Sequence, residues 1–207
     1  MPRTPAKFTW DTEKRRYYYD SGRAVPLRTL ENWIDKASAN AELRLENLTK
    51  DLISNKIDLV EWTLKFKDEI RNGHNAMAMI AAGGRDQMTA KEWGKAGNII
   101  KVQYKYLDNF ARQIESGEIS LTDALAVRAR MYGAAMYPSY VSGVRQREIN
   151  AGATEERSVL TPADGWCNGS ENGCIEQAAR GWVPIGDLIP LGDRLCMVRC
   201  RCSYESR

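Results

Sequence analysis

Residues 89–117 read TAKEWGKAGNIIKVQYKYLDNFARQIESG, and this stretch decides the fold class. Thr89 and Glu92 stand three apart at its start. That spacing lets the hydroxyl and the carboxylate each satisfy the other's unpaired backbone N–H, the capping box of a helix start. From there Trp93, Ala96, Ile100, Gln103, Leu107, Phe110 and Ile114 alternate spacings of three and four without a slip. Such a stripe lies on one face of an α-helix. Ser116-Gly117 ends it. A long amphipathic helix cannot bury its apolar face alone, so the rest of the chain must supply packing partners.

Upstream, Pro26 opens a helical pattern through Leu27, Leu30, Ile34, Ala37, Ala41, Leu48 and Leu52, interrupted at Asn55-Lys56. A second pattern, with Leu59, Phe66, Ile70, Met77 and Ile80 on one face, stops at Gly83-Gly84. Downstream, Ser120 precedes a fourth helix with Leu121, Leu125, Arg128, Tyr132 and Ala135 in line, which Pro138 should kink or end. Helical sequence resumes to about Asn150, and Ala151-Gly152 closes it. Four long helices with short connections predict antiparallel neighbours. The expected organisation is mainly α: an N-terminal arm over 1–25, a body of four long antiparallel helices over 26–152, and a small Cys-rich α+β module over 153–207.

The arm is aromatic. Phe8, Trp10, Tyr17, Tyr18 and Tyr19 surround a polar centre, Asp11 to Arg15, as in a short β-hairpin ending at Ser21-Gly22. A two-stranded ribbon is marginally stable by itself. It therefore docks either on its own domain or on a neighbouring subunit. Gln103 and Arg128 interrupt apolar stripes in helices three and four. If those helices fold back about the 116–120 loop, the two residues form a polar clasp with Tyr132 beside it, since a buried Arg must be paired.

The tail changes style at Arg157, where helical periodicity gives way to Gly, Pro and Cys. Residues 1–166 contain no cysteine, and the tail holds all five, Cys167, Cys174, Cys196, Cys200 and Cys202. Short strands are expected at 158–160, 195–198 and 201–204, with a short helix at 174–180. Two cysteine groups about twenty residues apart resemble the layout of a knuckle-type zinc site. Cys167, Cys174, Cys196 and Cys200 are the candidate ligands. Cys202 is assigned to the opposite face, because side chains alternate along an extended strand. Six residues separate Cys167 from Cys174, against about two to four in most zinc clusters. Disulfides such as Cys167–Cys200, or buried thiols, stand as alternatives.

Composition excludes more than it assigns. The 207 residues carry 30 basic and 27 acidic side chains, a net charge of +3, too slight an excess to argue for nucleic acid. The single histidine, His74, removes His-based triads and multi-His metal sites, and its place beside an apolar face predicts a packed side chain. No phosphate-binding loop, G-x-S-x-G elbow or H-E-x-x-H is present. No leader or membrane span is expected.

The residues nevertheless resemble a family. Arg15-Arg16-Tyr17-Tyr18-Tyr19-Asp20 with Ser21-Gly22-Arg23, then Gln103 with Tyr106-Leu107 and Phe110, then Arg128-Ala129-Arg130-Met131-Tyr132, follow the element order of phage head-morphogenesis (minor head) proteins of the Mu head-protein type. The ending is the most specific part: Cys167, Cys174, Gly181-Trp182, Pro190-Leu191-Gly192, Cys196 and Cys200-Arg201-Cys202. The first cysteine gap is wider than is usual in the family, and Trp166 precedes Cys167. The resemblance implies a non-enzymatic virion component. It would be present in the host cytoplasm during assembly and would act with portal protein and capsid subunits in head assembly and DNA packaging or delivery. Self-association and non-specific DNA contact are further expectations. The alternative from a different class is a zinc-stabilised nucleic-acid-binding module, with Arg194, Arg199, Arg201 and Arg207 as phosphate contacts.

Overall fold

A computed structural model of the protein describes residues 7–161, 173–194 and 200–207. The chain is mainly helical, with two small antiparallel sheets. Helix α3 spans Ala90–Glu115, and its capping box is formed, with Glu92 N–H donating to Thr89 Oγ1 at 3.3 Å and Thr89 N–H to Glu92 Oε2 at 2.7 Å. Helix α1 spans Leu27–Ile53, buries Leu30, Ile34, Ala41, Leu45 and Leu52, and turns at Asn55, which adopts a left-handed φ of 56°. Helix α2, Leu59–Ala82, starts where Asp58 accepts from Glu61 N–H. It ends at Gly83, whose φ of 93° suits a residue without Cβ and lets the chain reverse tightly.

The fourth helix is two. Helix α4 spans Asp123–Ala134 and α5 spans Tyr137–Asn150. Pro138 sits in the first turn of α5, where its missing N–H costs nothing. The break therefore falls just before the proline rather than at it. α2 lies at the centre and packs against α1, α3 and α5. α4 returns onto α1, not onto α3 as a simple hairpin would require. Small residues make this possible: Ala126, Ala129 and Gly133 are buried, and a Cβ on Gly133 would lie 2.6 Å from the Glu42 backbone. Trp62, Phe66, Ile70, Leu107 and Phe110 fill the shared core.

The arm forms a hairpin, β1 (Phe8–Asp11) and β2 (Arg16–Tyr19), pairing Phe8 with Tyr19 and Trp10 with Tyr17. It docks on its own body. Phe8 and Tyr17 belong to the helical core, and Gln87 brackets the Trp10 backbone through hydrogen bonds to its N–H (2.8 Å) and from its own amide to the Trp10 carbonyl (3.2 Å). Tyr17 donates to the Ala81 carbonyl at 2.9 Å, and the Arg147 guanidinium lies 3.4 Å from the centre of the Trp10 ring. Arg15 pairs with Glu148. Of the two docking alternatives that the sequence leaves open, Phe8, Trp10 and Tyr17 take the one on the chain's own body. Tyr18 and Tyr19 stay half-buried, Tyr18 beneath Lys14 and Tyr19 edge-on to Trp33.

Beyond α5 the chain builds a three-stranded sheet in the order β4-β3-β5, with β3 (Glu155–Val159) between β4 (Val183–Pro184) and β5 (Ser203–Ser206). A short helix, α6 (Cys174–Ala179), packs on β3. The strand expected at 195–198 lies outside the described residues.

Candidate metal centre

Cys174 is the first residue of α6, and Cys200 and Cys202 lie just ahead of β5. The three thiols are buried, and their sulfur atoms all lie within 4.8 Å of one another. Tetrahedral zinc with thiolate bonds of about 2.3 Å needs sulfurs about 3.8 Å apart, so a small inward adjustment suffices to close on an ion. Three close, buried cysteines could therefore hold a metal.

The set differs from the one expected. Cys202 joins Cys174 and Cys200 rather than facing away. The reason is local: strand pairing begins at Ser203, so Cys200-Arg201-Cys202 is not held in a pleated ladder and its side chains need not alternate. Cys167 and Cys196 lie outside the described residues.

The thiols form the core of the module with Leu191 and with Val141, which α5 lends from the body. Tyr137, also on α5, donates from its hydroxyl to the Cys202 carbonyl at 3.3 Å and stacks under the Arg201 guanidinium. Burial pushes the Tyr137 phenol well above its ordinary range. Among the described residues the three thiols are thus enclosed by apolar and aromatic side chains.

Beside it lies a buried ionic network. Arg145 of α5 makes a two-pronged bond to Glu156 of β3, one prong 2.6 Å long from Nε, and the Gly186 N–H adds a third bond to that carboxylate at 3.1 Å. Arg194, 1% exposed, donates to the Ile189 carbonyl and to Ser158 Oγ, each at 2.8 Å. Tyr204 lies between the two guanidiniums, 5.0 Å from Arg145 and 5.6 Å from Arg194. Arg145, Glu156 and Tyr204 carried no motif and were missed, while Arg194, expected as a phosphate contact, is buried instead. Arg145 and Glu156 meet only because α5 and β3 fold back on each other, whereas Cys202 was visible in sequence and misassigned.

The clasp between Gln103 and Arg128 does not form. Arg128 is exposed; its guanidinium lies 4.2 Å from the centre of the Phe110 ring and bonds Gln113 at 3.4 Å. Gln103 stands ten residues, about 15 Å of helix, from Gln113, on the part of α3 that faces α5. Tyr132 packs edge-on to Phe66 and stacks on Phe110, and burial pushes its phenol up to about 12. His74 is fully buried, with Nδ1 2.7 Å from Ser139 Oγ, and burial holds its pKa down at about 4. No protein-family model, characterised protein or solved structure matches this chain.

Proposed function

We propose that this protein is a non-enzymatic structural component of a phage virion, a minor head protein that acts with portal protein and capsid subunits during head assembly and DNA packaging or delivery. The observation that carries the reading is the closing pattern, Gly181-Trp182, Pro190-Leu191-Gly192 and Cys200-Arg201-Cys202 after Cys174. Three of its thiols gather in one buried cluster. In this reading the cluster holds zinc. Cys174, Cys200 and Cys202 supply three thiolates, and a fourth comes from the remaining cysteines, Cys167 and Cys196. The ion would supply cohesion to a module too small to hold itself by apolar burial. The helical body would supply the interaction surface.

The test begins with the flanking genes, which should encode portal and capsid proteins, and proceeds to co-expression of the chain with those proteins. Co-purification of the chain with portal rings or procapsids is the expected result. Portal and capsid that assemble and fill with DNA normally in its absence, with no complex formed in its presence, would refute the proposal.

The nucleic-acid reading is less favoured by the placement of its arginines. Arg194 is buried, and Arg207 pairs with Glu155 at 2.7 Å. A DNA titration separates the two: weak, sequence-independent binding fits a virion component. Strong affinity that falls by orders of magnitude between low and physiological salt would favour the alternative.

A further inference from the structure

Between α3, α5 and the 190–193 loop of the C-terminal module lies a groove of about 390 Å³, the size of a small-molecule site. Ile99, Val102 and Leu191 make an apolar wall, while Lys95, Gln103 and Ser142 present polar groups from the two helices. Arg145 and Tyr204 also line it.

Among the described residues, the charge beside Arg145 and Tyr204 is not balanced. Two guanidiniums, Arg145 and Arg194, flank the Tyr204 ring. Among the described residues one buried carboxylate, Glu156, is bonded there, and its partner is Arg145. Arg194 makes its hydrogen bonds to neutral oxygens of Ile189, Ser158 and Tyr204. A buried cation without a counter-charge is costly in a low-dielectric interior. Among the described acids of the groove, Asp193 is exposed on the rim, and the Glu92 carboxylate is held by Thr89 N–H and Oγ in the α3 capping box.

Lys95 adds a further cation at the groove. It is half-buried, and burial together with Arg145 and Lys91 pushes its ammonium below its ordinary range. Lys95 and Ser142 also line a smaller adjoining cavity of about 10 Å³, room for one water. There Gln146 Oε1 is buried with no hydrogen-bond partner among the described residues.

We propose that this groove binds the oxyanion head, phosphate or carboxylate, of a small organic ligand, with Lys95 as the contacting cation and Ile99, Val102 and Leu191 receiving the ligand's apolar body. The site spans the junction of body and module, so ligand binding would also hold the two together. This assignment is independent of the virion reading.

The test is a titration of the isotope-labelled full chain with inorganic phosphate and with succinate, following the backbone amides of Asn98 and Ser142. Saturable shifts below about 10 mM are expected for at least one anion and not for sodium chloride at equal ionic strength. Lys95→Met, which keeps the alkyl stem, should weaken binding at least tenfold. Lys95→Arg and Lys91→Met should retain it. Shifts that track ionic strength alone, or saturable binding that survives Lys95→Met, would overturn the assignment. The tighter of the two anions identifies the head group.

Discussion

Around Trp62 the helical body buries Phe66, Ile70, Leu107 and Phe110, all without measurable exposure. Around Cys200 the C-terminal module buries Cys174, Cys202 and Leu191, borrows Val141 from α5, and encloses Arg194 and Glu156. The body is stabilised by apolar area, at about 1.5–3 kcal/mol for each large side chain removed from water. Among its described residues the module buries only Leu188 and Leu191 of such side chains, beside groups that are polar or sulfur-bearing. Its cohesion must then come from bonds of a specific kind: a carboxylate gripped by Arg145 and, as proposed, thiolates gripping an ion. The contrast teaches that the two regions should fail under different insults, although α5 belongs to both.

The strongest way to break that contrast is to remove metal. Structural zinc contributes about 10 kcal/mol or more to small domains. A chelator under reducing conditions should unfold the module while leaving the body helical. Limited proteolysis should then cut beyond α5, with the far-ultraviolet helical signal retained. If the helices melt together with the module, the two regions are one cooperative unit and the comparison fails.

Next in size is Trp62→Ala, which empties the centre of the body and removes the indole N–H that Thr49 Oγ1 accepts at 3.1 Å, leaving that hydroxyl its bond to the Leu45 carbonyl. It should cost about 4 kcal/mol in denaturant unfolding and leave metal content unchanged. Loss of metal in this variant would show that the module cannot hold its ligands without an intact body.

A third test uses acid. His74 has its pKa depressed from 6.5 to about 4 by burial, so the unfolded state takes up the proton first. Stability should therefore fall as pH drops from about 6.5 to about 4, by about 3 kcal/mol from this group. The measurement is the slope of unfolding free energy against pH, compared with that of His74→Gln. Equal slopes would remove His74 as the source. The smallest effect is expected at Arg128, whose exposed guanidinium covers the Phe110 ring. Arg128→Ala should cost no more than about 1 kcal/mol, and a loss of several kcal/mol would mean that the residue is buried and paired after all.

Helices α1, α2 and α3 were legible from residue spacing and caps, because each carries large apolar side chains at helical intervals and a recognisable start or stop. The α4 stripe was legible only in part: Leu125 and Ala135 are buried and Tyr132 packs on the core, but Leu121 and Arg128 are exposed, and Ala126, Ala129 and Gly133 are buried outside the stripe. Large side chains dominate a periodicity argument, whereas α4 approaches α1 through small ones, and small residues carry no stripe. The same limit applies to the candidate metal centre. The sequence placed two cysteine groups in one module, but the choice of Cys202 over the outward assignment depended on where the β5 ladder begins.

The sequence by itself thus determined a mainly helical chain with an aromatic hairpin at one end and all of its cysteines at the other. Those features follow from local rules of spacing, capping and composition. Tertiary structure alone decided that the hairpin closes onto its own body, that α4 returns to α1, and that three thiols converge beside the Arg145–Glu156 pair. Each of these joins residues far apart along the chain, and no local preference can specify such a meeting.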